Sequence, residues 1–284
     1  MNKRIGLACG AALLAAAALS ALWLSRPTTG VHAVSDTPQA LGDTDGPLPV
    51  PPVPPRIAEG AEYEKCLAML PADPAGARDY AEQWLPKGGG EAATHCLALA
   101  QVALGNAAEG ARMLQALANT SHGPDAARAE VFDQAYQAWL MAGNDDNALS
   151  AATMAVTLSP ADPDLLVDRA TVAGSLGHYE MALTDLNHAL AADPKRSDAL
   201  VLRASAQRHL GHIALAQDDV DHALVIDPDN TEALLERGIL RQRMNDQDGA
   251  RRDWERAISL EPDSTTADLA QQNLALLDAG PLQP

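Results

Sequence analysis

The sequence predicts an all-α fold: a solenoid of stacked helical hairpins closed by one capping helix. Pro160, Pro194, Pro228 and Pro262 recur every 34 residues, the kind of period that marks stacked supersecondary units. Ending each unit two residues past its proline gives 129–162, 163–196, 197–230 and 231–264. Position 20 is then Ala148, Ala182, Ala216 and Ala250, and position 27 is Ala155, Ala189, Ala223 and Ala257. Small side chains at two fixed places let helices approach closely. Position 15 holds Gly143, Gly177, Gly211 and Asn245, residues that tolerate the left-handed conformation at a helix end. Each unit therefore breaks at its middle into two helices.

The elements follow in chain order. Residues 1–26 read as a signal peptide or membrane anchor: Lys3 and Arg4 precede Ile5–Leu24, 20 residues without a charge, enough for a helix to span about 30 Å of hydrocarbon. Positive charge on the N-terminal side keeps that end in the cytoplasm and sends the rest across the membrane. The chain is then periplasmic, tethered to the inner membrane by residues 5–24 or exported after cleavage. Cys9 lacks the lipoprotein context and reads as one more apolar residue of that segment. Residues 27–56 carry eight prolines, a density that excludes helix and central strand and leaves a semi-rigid polyproline II linker.

Residues 57–128 are irregular or degenerate helical repeats. Within them 91–124 resembles a unit, with Gly105 at the turn and Leu114 in the second helix. Residues 57–90 are broken by Pro71, Pro74, Pro86 and Gly88–Gly90, yet Cys66-Leu-Ala is echoed by Cys96-Leu-Ala. In the four regular units, Phe132, Leu166, Leu200 and Leu234 at position 4, with Val156, Leu190, Leu224 and Ile258 at position 28, supply the apolar seams. Residues 265–284 form an amphipathic cap and tail, the closure a solenoid needs at its open end.

Over 129–264 this pattern resembles the tetratricopeptide repeat (TPR) family of bacterial and other proteins, and the Ala and Arg bias reads as GC-rich bacterial coding. The sequence departs from the family at position 7, usually Leu but here Arg169, Arg203 and Arg237, and at Tyr136 in position 8. The resemblance implies a right-handed superhelix whose concave wall is lined by positions 2, 5, 9, 12 and 13 of each first helix. The partner-binding candidates carried over in this way are Asp133, Gln137, Val167, Thr171, Val201, Ser205, Arg208, His209, Leu235, Ile239, Gln242 and Arg243. Relatives that clamp a terminal carboxylate place Lys and Asn at positions 2, 5, 6 and 9; acids and apolar residues stand there in this chain. Arg208, His209, Arg241 and Arg243 read either as a basic stripe or as a solvated face.

Two further pairings come from the residues themselves. Positions 7 and 23 lie eight residues either side of position 15, at one height above the turn of an antiparallel hairpin. Arg169 then faces Asp185, Arg203 faces Asp219 and Arg237 faces Asp253, while the first unit has Ala135 and Ala151. Both charges vanish together, which points to intra-repeat salt bridges. Cys66 and Cys96 sit on equivalent faces of successive first helices, and an oxidising compartment lets them form a disulfide. Two buried thiols are the rival reading.

A formal charge of -18 and nine aromatic residues argue against nucleic acid, which needs basic surface and stacking platforms. No catalytic, cofactor or metal constellation stands out. Ser175 lacks the nucleophile-elbow spacing. The stretch from Asp227 has Glu232 where a calcium loop turns on Gly. His178 with His212, and His188 with His222, repeat one position in hairpins about 10 Å apart, too far for a shared metal. Asp218, Asp219 and Asp221 read as a solvated face, and Gly88–Gly90 follows no predicted strand. The expected function is a non-enzymatic adaptor of the bacterial cell envelope that holds a peptide or helix in its groove. The alternative is a structural assembly factor of an envelope complex for secretion, cell-wall or cytochrome maturation. Contact with the membrane is expected through the N-terminal segment only.

Overall fold

The computed structural model describes residues 56–280. The apolar run 5–24, Cys9, the proline-rich stretch through Pro55 and the last four residues lie outside them. Among the described residues the elements are α1 (Ala61–Met69), α2 (Pro74–Trp84), a 3-10 turn (Leu85–Lys87), α3 (Gly90–Ala103), α4 (Ala107–Thr120), α5 (Asp125–Met141), α6 (Asp145–Leu158) and α7 (Pro163–Ser175). There follow α8 (Tyr179–Ala192), α9 (Ser197–His209), α10 (Ile213–Ile226), α11 (Thr231–Arg243), α12 (Gln247–Leu260) and α13 (Thr265–Ala279). No strand occurs among them. The fold is the all-α tetratricopeptide-repeat solenoid: six hairpins and the final helix α13.

The irregular segment also forms two hairpins, α1–α2 and α3–α4. Its prolines mark element starts: Pro74 opens α2, whose N-cap Asp73 accepts from the Gly76 N–H, and Pro86 lies in the 3-10 turn. Every later hairpin turn has a residue with positive φ at its mid-unit position, from Gly105 at 86° to Asn245 at 63°. Three of the first helices, α7, α11 and α13, begin on side-chain caps: Asp162 accepts from the Asp164 and Leu165 N–H groups, Asn230 from Ala233 and Ser264 from Ala267. Each satisfies backbone donors that a helix start leaves free.

Consecutive helices pack antiparallel throughout the described residues. First helices also touch across hairpins, α1 with α3, α7 with α9, α9 with α11 and α11 with α13. No pair of second helices does so to that degree among the described residues, so first helices form the inner layer and second helices the outer. One alanine- and leucine-rich core runs from Ile57 to Ala257. A small separate cluster of Cys66, Ala77, Ala81, Cys96, Leu97 and Ala100 holds the first hairpin, and another around Ala250, Trp254 and Ala270 holds the last.

Positions 8 and 24 exchange volume across each hairpin. Tyr136 stands with Ala152, Ala170 with Leu186, Ala204 with Val220 and Gly238 with Trp254, and the seven that carry a side chain are at most 3 % exposed. A Cβ on Gly238 would lie 2.2 Å from Trp254 Nε1. The tyrosine that breaks the alanine pattern is therefore matched by an alanine opposite it, as close packing demands. Gly238→Ala should cost about 1–3 kcal/mol by overpacking, read as a lower urea midpoint at unchanged slope. Gly238→Ala with Trp254→Leu reproduces the pair of Ala170 with Leu186 in the α7–α8 hairpin and should recover most of the loss.

Candidate functional site

The inner wall is built from the exposed sides of the first helices. Gln137, Thr171, His209 and Arg243 are exposed, and Ser205, Leu235, Ile239 and Gln242 are half-buried. Asp133, Val167, Val201 and Arg208 are buried, at 9 %, 6 %, 7 % and 8 % exposure. The two valines belong to the main core. Leu235 and Ile239, like Leu274 and Leu277 of the cap, pack against the cluster of Ala250, Trp254 and Ala270, so α13 closes that end of the wall. The cap's other side leaves Leu269 and Leu276 exposed, making it less polar than a simple solvated closure.

The basic stripe is a correction. The Arg208 guanidinium donates to both carboxylate oxygens of Glu236, through Nε to Oε1 and through Nη2 to Oε2 at 3.2 Å, with both side chains buried. Arg241 donates to Asp253 at 2.7 Å. Burial without a partner would be costly for either cation, and each has found an acid. Of the four, His209 is stacked on Tyr179 with centroids 4.3 Å apart, and Arg243 is exposed.

The pairs at positions 7 and 23 all meet as bidentate ion pairs. Arg169 donates to Asp185 at 2.7 and 2.6 Å, Arg203 to Asp219 at 2.7 and 2.6 Å, and Arg237 to Asp253 at 2.9 and 2.7 Å. The carboxylates are buried and the guanidinium groups about four-fifths buried, at 19 %, 22 % and 19 % exposure. They lie inside hairpins and serve the scaffold. Cys66 and Cys96 form a disulfide with Cα atoms 6.2 Å apart, tying α1 to α3.

The described residues contain no cluster of three or more His, Cys, Asp or Glu arranged for a metal. His178 and His212 stand instead at the starts of α8 and α10. A buried polar chain crosses the N-terminal half of the wall. The Tyr63 hydroxyl donates to His95 Nδ1, and His95 Nε2–H donates to Gln134 Oε1 at 2.6 Å. Burial holds the imidazole below its ordinary pKa and pushes the Tyr63 phenol up to about 12, so both groups are neutral, as these bonds require.

Beside Gln134 lies the most perturbed group of the wall. Asp133 of α5 faces Asp168 of α7. Burial first, then the Asp168 charge, raise Asp133 to about 9, with Glu130 adding to the effect and a hydrogen bond from Gln137 opposing it. Burial raises Asp168 to about 6; the bond from protonated Asp133 and the Arg196 charge oppose it, while Asp164 and Asp162 add to it. Two carboxyls so close cannot both ionise cheaply, and they hold one proton between them at neutral pH. Residues Gln134, Asp168 and Glu236 all stand at position 6, outside the positions used to trace the wall. The signal that finds them is polarity at the same place in three of four units: Gln134, Asp168, Leu202 and Glu236.

A pH test follows. The folded pKa of Asp133 lies above its unfolded value, so this group's stabilising effect is complete below about pH 4 and is lost as pH rises toward about 9. Asp133→Asn should therefore be more stable than wild type by on the order of a few kcal/mol near pH 7. The gap should close at about pH 4. Thermal unfolding of the two proteins across that range checks it. Comparing their difference removes His95, whose depressed pKa acts in the opposite sense.

A tetratricopeptide repeat family model matches residues 138–207. Comparison with curated proteins gives no match. Among solved structures, the fold is similar to that of YrrB, described as a TPR protein with an unusual peptide-binding site, at 15 % identity and a TM-score of 0.53 over 69 % of this chain and 97 % of that one. It is also similar to MamA 41-end from Desulfovibrio magneticus RS-1, at 18 % identity and a TM-score of 0.50 over 73 % and 99 % of the two chains.

Proposed function

From the premise that this chain carries the tetratricopeptide-repeat fold, we propose that it is a non-enzymatic adaptor of the bacterial cell envelope that holds a peptide or helix of a protein partner in its concave wall. The observation that carries this is the N-terminal half of that wall. There Gln137 and Thr171 are exposed, and Asp133 and Asp168 form a polar site that the chain's own arginines do not fill. The unusual peptide-binding site of YrrB supports the same class of activity. Panning a displayed peptide library on the purified chain tests the reading: enriched peptides should compete with one another and lose binding when Gln137 and Thr171 are replaced by Trp.

The envelope location rests on Lys3, Arg4 and the apolar run Ile5–Leu24, and the Cys66–Cys96 disulfide suits an oxidising compartment. Among the described residues no helix is long and apolar enough to cross a membrane, so the tether would be the N-terminal segment. Alkaline phosphatase fused after Pro284 should be active. An inactive fusion, with an active cytoplasmic reporter at the same point, would remove the location from the proposal. The exposed Leu269 and Leu276 on α13 favour a second reading, a structural subunit of an envelope assembly. Co-purification in a fixed ratio with large partners would support that one.

A further inference from the structure

Among the described residues, three buried side-chain oxygens receive no hydrogen bond from a neighbouring N–H or hydroxyl group: Asp133 Oδ1, Gln207 Oε1 and Gln217 Oε1, although the Asp133 carboxyl shares a proton with Asp168. Only the first belongs to the candidate wall. Asp133 is nine-tenths buried, at 9 % exposure, and its other oxygen accepts from Gln137 at 2.8 Å. The charged groups that act on the pair are Glu130 on α5, Asp162, Asp164 and Asp168 at α7, and Arg196 before α9. Arg196 is already bonded to Asp164 and Asp198. What the place lacks is a cation.

The same solenoid shows how such a place is filled. Glu236, at position 6 of the fourth unit, is met by Arg208 from position 12 of the third. Asp168 holds position 6 of the second unit, and the corresponding position 12 of the first is Leu140. The acid stands in an equivalent seat without the arginine. A pair of carboxyls matches the forked donors of a guanidinium, and an ammonium can bridge them as a point charge. A buried carboxyl pair that must share a proton also weakens the fold, the kind of local cost found at functional sites.

We propose that the Asp133–Asp168 pair is the anchor for one basic side chain, Arg or Lys, of the peptide that occupies the groove. This rests on the groove reading above and names the chemistry of its ligand. The incoming cation takes the role that Arg208 plays toward Glu236, and Gln137 and Thr171 form the polar rim around it. On binding, the proton held by the pair leaves to solvent, since both carboxylates then face a positive charge.

A library of random dodecapeptides displayed on phage, panned on the purified full chain and on its Asp133→Asn, Asp168→Asn and Leu140→Arg variants, tests this. Wild type should enrich peptides with Arg or Lys at one fixed position, and all three variants should lose that preference, Leu140→Arg because its own guanidinium fills the seat. Replacing the basic residue of an enriched peptide by Gln should weaken binding about tenfold or more on wild type, and about twofold or less on Asp133→Asn. Calorimetric titrations near pH 7 in two buffers of different ionisation enthalpy should show about one proton released per peptide by wild type, and close to none by Asp133→Asn. A structural role for the pair would not move that proton count. Enriched peptides without a fixed basic residue, or with a preference that survives the variants, would overturn the anchor and leave the groove reading intact. No enrichment on any form would overturn the groove reading and the anchor with it.

Discussion

Asp219→Ala should lower the unfolding free energy by about 3–5 kcal/mol, the cost of leaving one member of a buried ion pair behind. Arg203 donates two hydrogen bonds to Asp219, and its only other partner among the described residues is Asn187 at 2.9 Å. Without the carboxylate, a guanidinium that is 22 % exposed must either stay unpaired or drag its stem out of the hairpin. Arg203→Ala should cost a similar amount for the mirror reason, since Asp219 is 7 % exposed. The double variant should cost less than either single one, because the first regular unit carries buried Ala135 and Ala151 at these two positions. Urea unfolding of the four proteins gives a coupling energy, expected at about 3 kcal/mol or more. A coupling near zero would make the two charges independent. Apolar residues of equal volume at both positions would hold the fold about as firmly as the ion pair.

Removing the disulfide, by reduction or by Cys66→Ala with Cys96→Ala, should cost roughly 3 to 4 kcal/mol on the chain-entropy estimate for a loop of this size. The separation is 30 residues. The loss should be local. Helix α1 has nine residues and buries only Tyr63 and Cys66, too short to persist unaided, and its contacts form a cluster apart from the main core. Amide hydrogen exchange should rise over 61–84 on reduction, while α5 to α12 keep their protection. Uniform acceleration along the chain would show that the first hairpin folds with the whole solenoid. Release of Tyr63 would also free His95 Nδ1, loosening the Gln134 end of the wall, so peptide binding should weaken under reducing conditions.

The repeat period, the mid-unit turns and the equal height of positions 7 and 23 are matters of spacing along one chain. A 34-residue step with small residues at fixed places specifies a hairpin locally, because helix rise and one left-handed residue decide where the two helices of the hairpin cross. The exchange of Tyr136 and Ala152 against Gly238 and Trp254 was present in the residues as well, yet it becomes visible only when positions 8 and 24 are known to touch. The segment 57–90 was harder to read, because its prolines and glycines also suit a loop. The caps and turns that use them there are apparent only once α1 and α2 are paired.

What the sequence by itself determined is thus the hairpin and its internal contacts, with one pairing offered between units, Cys66 with Cys96. The tertiary structure alone decided which wall residues are free. Arg208 is spent on Glu236 of the next unit, Leu235 and Ile239 lie with the cap, and Asp133 meets Asp168 across two first helices. The two polar contacts join residues 28 and 35 apart in different hairpins. Their distances depend on the angle at which one hairpin stacks on the next, which is set by the volumes packed between helices and not by the spacing of any repeat.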